Sequence, residues 1–168
     1  MAERQIEGLD GIKKPLAFAT GFNIILSVSP NYEDCAALER IFQSRWTVTA
    51  SATVAAALSL FRKISLPIVI CDCEITSGTW SGMLDQISLL PDPPLFIVTS
   101  RLADECLWAE ALNLGAWDVL AKPFNADEVV RVIGAAGQHW RGRHDICISR
   151  TKQRKSANGT GELAANGT

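Results

Sequence analysis

Five short runs of consecutive apolar residues constrain the fold most: residues 22–28, 46–50, 67–71, 94–99 and 117–121, rich in Val and Ile and separated by longer stretches. Four of the five are too continuous for a sheet with one wet face. Strands buried on both faces need helices above and below them, and such sheets are parallel. The intervening stretches have the spacing to supply those helices. After Ser29-Pro30-Asn31, which offers N-cap residues and a proline suited to a first turn, Cys35, Leu38, Ile41 and Phe42 recur on one helical face. Val54, Ala57, Leu58 and Phe61 make a second face, and Asn125-Ala126-Asp127-Glu128 is a capping-box-like start for a last helix bearing Val129, Val132, Ile133 and Ala136. Five strands alternating with five helices describe an α/β domain, a doubly wound five-stranded parallel sheet over residues 22–140.

The flanks differ from this body. Residues 1–21 show no sustained period and contain Gly8, Gly11 and Pro15, so they read as a flexible arm. After His139 the chain becomes polar, residues 150–168 lack an apolar face and Ala-Asn-Gly-Thr repeats at 157–160 and 165–168, so residues 141–168 read as a basic, disordered tail. The net charge of −2 hides this asymmetry: the tail carries six Lys and Arg against two acids, leaving 10 basic against 16 acidic residues in 1–140.

Several function classes are set aside on composition. No run approaches the roughly 20 apolar residues of a membrane span. The N-terminus lacks the apolar core of a secretory signal, so a cytoplasmic location is expected. The five Cys, at 35, 71, 73, 106 and 147, form no CxxC pair and read as reduced thiols; with only His139 and His144 besides, zinc is not expected. Cys71 and Cys73 read as strand thiols rather than a redox pair. No Gly-rich phosphate loop or catalytic triad is present, so an enzyme with its own turnover is not expected. The basic stretch after Trp140 has no aromatic interleaving and is too short for a DNA-binding output domain.

In a doubly wound sheet, ligands bind outside the carboxyl ends of the strands. There the chain places Ser29 and Pro30 after the first run, Asp72 after the third, Thr99 at the end of the fourth and Lys122 after the fifth. A carboxylate, a hydroxyl and an ammonium are the set needed to accept a phosphoryl group on Asp72, hydrogen-bond one of its oxygens and neutralise another.

With Asp72 isolated after a buried strand, Thr99 closing the next, and Gly115-Ala116-Trp117-Asp118-Val119-Leu120-Ala121-Lys122-Pro123-Phe124 following, residues 22–140 resemble the receiver domain of two-component response regulators. The resemblance implies a flavodoxin-like sheet of order 2-1-3-4-5 and a cis Lys122–Pro123 bond. It also implies that Asp72 is the phosphoacceptor, that Thr99 and Lys122 contact the phosphate, and that a sensor histidine kinase or phosphotransfer protein is the partner. The function expected is that of a stand-alone receiver in a phosphorelay, signalling through protein contacts; the alternative is a phosphorylation-independent interaction module.

The chain departs from the family at two places. Ser29 and Pro30 stand where receivers carry an acidic pair that holds Mg²⁺, so Mg²⁺ binding is expected to be weak or absent. Asp72 and Glu74 are then the candidate metal ligands, whereas Glu33 and Asp34 are expected to point away. An Asp72–Lys122 ion pair, with Arg101 at the pocket mouth, is expected to satisfy the pocket without phosphate. Val119 replaces the aromatic that usually moves as the Thr hydroxyl engages phosphate, so the usual two-position switch is not expected. Trp108 reads as core. Trp117 and Val119 are the interface candidates, on a helix four to helix five face that would also serve a homodimer.

Overall fold

The computed structural model describes residues 23–43 and 45–158, with side chains through residue 144. The expected N-terminal arm, Phe22 and residues 159–168 lie outside the described residues. Strands and helices alternate: β1 Ile24–Val28, α1 Tyr32–Phe42, β2 Thr47–Ser51, α2 Val54–Phe61, β3 Ile68–Asp72, α3 Trp80–Ser88, β4 Leu95–Ser100, α4 Glu105–Leu114, β5 Asp118–Ala121 and α5 Ala126–Asn158. The sheet has the order β2-β1-β3-β4-β5 with every pairing parallel, which is the expected flavodoxin-like arrangement.

The period of two in the strands sorts their side chains between two cores. Leu26, Val69, Cys71, Val98 and Val119 pack with Ala57, Met83, Leu84, Ile87 and Ala111 of α2, α3 and α4. Their neighbours Ile25, Ile68, Ile70, Ile97 and Leu120 face the other way, onto Leu38 and Phe42 of α1 and Val129, Val132, Ile133 and Ala136 of α5. Only edge strand β2 is largely uncovered, which is why it alone tolerates Thr47 and Thr49 among its five residues.

Helix starts follow local chemistry. Asn31, Thr53, Thr79 and Asp104 each accept a backbone N–H from the first turn that they cap, satisfying a donor the helix itself leaves open. Pro30 precedes the Asn31 cap and so stands outside the first turn. Asn125 caps α5 through Glu128 N–H at 3.1 Å. Gly115 closes α4 at φ 100°, the left-handed conformation in which a Cβ is costly, while Ala116 N–H reaches back to Ala111 O at 2.9 Å.

The sequence reading ends the last helix at Trp140 and makes residues 141–168 a disordered tail; through Asn158 the structure differs, because α5 continues to that residue. Loss of an apolar face removes the signal for a core, not the capacity for helix, and residues 143–158 contain neither Gly nor Pro. The end of the body is also tied down. Trp140 is buried, Arg143 Nη2 donates to Pro93 O at 2.9 Å, and His144 Nε2 lies 2.7 Å from Asp92 Oδ2. Asp92 accepts from Ser65 Oγ at 3.0 Å as well.

Candidate functional site

Parallel pairing carries past the strand ends and fixes the rim. Ser29 N–H donates to Ser51 O at 3.1 Å, Cys73 N–H to Thr99 O at 2.9 Å, and Lys122 N–H to Ser100 O at 2.8 Å. Asp72 lies in register with Thr99, and Val28 with Cys71. Ser29, Asp72, Thr99 and Lys122 are thereby brought to one rim, beside the β1/β3 boundary where the strand order reverses.

Asp72 is buried, with 4% of its side chain exposed. Its Oδ1 accepts Glu74 N–H at 3.1 Å, and its Oδ2 accepts from Lys122 Nζ at 2.6 Å and lies 3.2 Å from Ser29 Oγ. The expected Asp72–Lys122 pair is present. The expectation that Asp34 points away is overturned: Asp34 Oδ2 accepts from Lys122 Nζ at 2.9 Å and from Ser29 Oγ at 2.7 Å. Asp34 is the third residue of α1, which begins directly beyond the carboxyl end of β1. Side chains on a helix lean toward its N-terminus, so this position aims back at the rim. Negative charge is also favoured in a first turn by the helix dipole. Asn31 N–H donates to Ser29 Oγ at 3.1 Å, orienting the hydroxyl so that its single proton serves the carboxylates, with the shorter contact to Asp34. The sequence shows a cap at Asn31 three residues before this acid, but that spacing leaves its fate open, which depends on the helix direction.

Burial works to lower the Lys122 pKa, and the hydrogen bonds and charges of Asp72 and Asp34 outweigh it, so the net shift is upward. The ammonium is held firmly charged. Thr99, also buried, stands beside Asp72 on the next strand. Ser100 Oγ accepts Leu102 N–H at 3.0 Å. The Lys122–Pro123 bond is cis.

Other candidates are placed differently. Glu74 contributes its backbone N–H, while the residue is exposed, as is Arg101. Val119 is 1% exposed within the core under α2, α3 and α4, which corrects its choice as an interface residue: on β5 it alternates with Leu120, and both faces of that strand are covered. Trp117 is half-buried, its ring 4.9 Å from His139 of α5. Trp108 packs against the core as expected. Burial, with a smaller contribution from the charge of Asp72, pushes the Cys71 thiol up to about 12, so at neutral pH it is a poor nucleophile. Among the described residues no group of three or more His, Cys, Asp and Glu is placed to hold a metal, and no helix is long and apolar enough to cross a membrane.

A doubly wound sheet of this order, with a buried Asp, a Thr and a Lys that precedes a cis peptide at its carboxyl rim, defines a flavodoxin-like domain built around one buried carboxylate. The family model for the response regulator receiver domain matches residues 25–134, and the chain belongs to that family of two-component signalling modules. The fold is similar to the signal receiver domain of an HD domain-containing protein from Pseudomonas fluorescens Pf-5, with 20% identity, a TM-score of 0.68, and coverage of 77% of this chain and 97% of that one. The chemotaxis response regulator CheY4 of Vibrio cholerae matches at 16% identity and TM-score 0.62 over 68% of this chain and 98% of that chain. Full-length FixJ from B. japonicum matches at 22% identity and TM-score 0.66 over 73% of this chain and 61% of its own. No curated protein sequence matches significantly.

Receiver domains typically bind Mg²⁺, and the donor set here can be tested against that ion. Mg²⁺ needs carboxylate oxygens free to coordinate it. The oxygens that converge at this rim are Asp34 Oδ2, Asp72 Oδ2 and Ser29 Oγ, and both carboxylate oxygens are bonded to the Lys122 ammonium. In this arrangement the residues do not fit a divalent ion.

Proposed function

We propose that this receiver accepts a phosphoryl group on Asp72 from the phosphohistidine of a sensor kinase or phosphotransfer protein and passes the signal on through protein contacts. The observation that carries this reading is the buried Asp72 carboxylate with Lys122 Nζ at 2.6 Å and Thr99 in register beside it. Asp72 attacks phosphorus, an O–P bond forms as the N–P bond of the donor breaks, and the electron pair leaves with the imidazole. Lys122 neutralises an oxygen of the transferred group, and the Thr99 hydroxyl hydrogen-bonds another. Positioning and charge neutralisation are the main tasks of a protein in such a transfer.

A second reading, a pseudo-receiver that binds partners without phosphorylation, is favoured by one observation. Lys122 is already satisfied by two carboxylates, Asp72 at 2.6 Å and Asp34 at 2.9 Å. One experiment separates the two: incubation with a small phosphodonor, with beryllofluoride, and with phosphorylated kinase, following intact mass and Trp fluorescence, with Asp72→Asn as control. The phosphoacceptor reading expects an Asp72-dependent adduct and spectral change. Absence of both, together with no transfer from a kinase, would leave the pseudo-receiver.

A further inference from the structure

Two carboxylate oxygens meet at one nitrogen, and a hydroxyl bonds both of those oxygens. Asp34 comes from α1, Asp72 from the end of β3 and Ser29 from the turn after β1, and Lys122 reaches them from beyond β5. The three charged side chains are nearly closed to water, with 7% of Lys122, 4% of Asp72 and 12% of Asp34 exposed. Two carboxylates whose oxygens bond a single atom cannot both stay ionised in such a place unless a cation sits with them. Among the described residues the ion pairs of both carboxylates are with Lys122 alone. Arg101, two residues beyond Thr99, is exposed. Pro30, at the second position of the missing acidic pair, has neither a carboxylate nor a backbone N–H to offer.

We infer that Lys122 is the resident cation of this pocket: its tethered ammonium, held by Asp34 and Asp72 and flanked by Ser29, takes the place of the divalent ion, and Asp34 is the residue that makes the exchange possible. The acid lost after β1 has been regained from the first turn of α1, but in a position that grips the lysine. The pocket then closes on its own charges and needs no metal to hold its shape. The converse also follows. Taking the ammonium off Lys122 while keeping most of its unbranched stem leaves two carboxylates and a hydroxyl, an oxygen set that suits Mg²⁺. Lys122→Met should therefore turn a metal-indifferent pocket into a metal-dependent one.

The test uses the full chain, with melting followed by circular dichroism in EDTA and in MgCl₂, and Mg²⁺ binding followed by calorimetry. The wild-type protein should melt at the same temperature in both and show no Mg²⁺ heat. Lys122→Met should melt lower in EDTA and recover by about 5 °C at Mg²⁺ concentrations near a hundred times its Kd, by linkage. The double variant Asp34→Asn/Lys122→Met should lose that recovery. Asp34→Asn alone, which keeps the Asp72–Lys122 pair, should melt lower than wild type by the same amount in either solution. Wild-type stabilisation by Mg²⁺ equal to that of Lys122→Met overturns the inference. So does a Lys122→Met protein that takes up no Mg²⁺, whether folded or unfolded in both solutions. None of these measurements involves phosphoryl transfer, so their outcome is separate from that of the Asp72 experiment.

Discussion

At the scale of single residues, Lys122 and its two acceptors concentrate the pH dependence of the domain. The lysine is charged in the fold, and its pKa lies above the ordinary value of 10.5 because Asp72 and Asp34 outweigh the opposing cost of burial. A group whose pKa is raised on folding contributes stability that is complete below its unfolded value and declines as pH climbs through the folded one. Urea midpoints of the wild type should therefore fall between pH 10 and pH 12 by more than those of Lys122→Met, a comparison that cancels the titration of other groups. Equal declines would place the alkaline sensitivity elsewhere. The placement of Asp72, Thr99 and Lys122 at one rim was open to inspection in the sequence because each stands at the end of an apolar run. Asp34 was not, since a carboxylate near a helix start reads equally as a solvated first-turn acid.

At the scale of elements, α5 shows how the same residue type is placed under opposite constraints. A Cβ at Gly137 would lie 2.6 Å from the ring of Trp46, so the helix approaches the residue just ahead of β2 closely only because that position is bare. A Cβ at Gly134 would meet nothing within 4 Å. Gly137→Ala should destabilise the protein by about 1–3 kcal/mol through overpacking. Gly134→Ala should stabilise it by roughly 0.5–1 kcal/mol through helix propensity. Chemical denaturation of the two variants checks the difference in sign. Neither glycine is distinguishable from the other in the sequence, where both simply interrupt an amphipathic pattern. Helix starts, by contrast, were legible: Asn31 and Asn125 cap their helices through contacts made within three residues.

At the scale of the whole molecule, the two rims of the sheet are anchored by different means. The carboxyl rim is joined by the buried charges around Lys122. The amino rim is joined by the end of the body of α5, where Trp140 is buried, Arg143 bonds Pro93 O, and His144 meets Asp92 just ahead of β4. Cutting the chain after His139 removes all three ties, and loss of the Trp140 side chain alone should cost about 3 kcal/mol. A chain ending at residue 145 keeps them and should melt within about 2 °C of the full chain, the difference expected for surface changes on this size of domain. Scanning calorimetry of the two shortened proteins makes the comparison; equal melting temperatures would show that the ties contribute nothing.

The apolar runs by themselves determined the five strands, their parallel direction and the rim at which Asp72, Thr99 and Lys122 would stand, because burial on both faces and helix capping are short-range demands written in consecutive residues. The second partner of Lys122, Asp34, the core position of Val119 and the reach of α5 were decided only by the tertiary structure. Each depends on which way one element faces another, across 88 residues of chain in the case of Lys122, where the direction of α1 brings Asp34 to a lysine that no local pattern could connect with it.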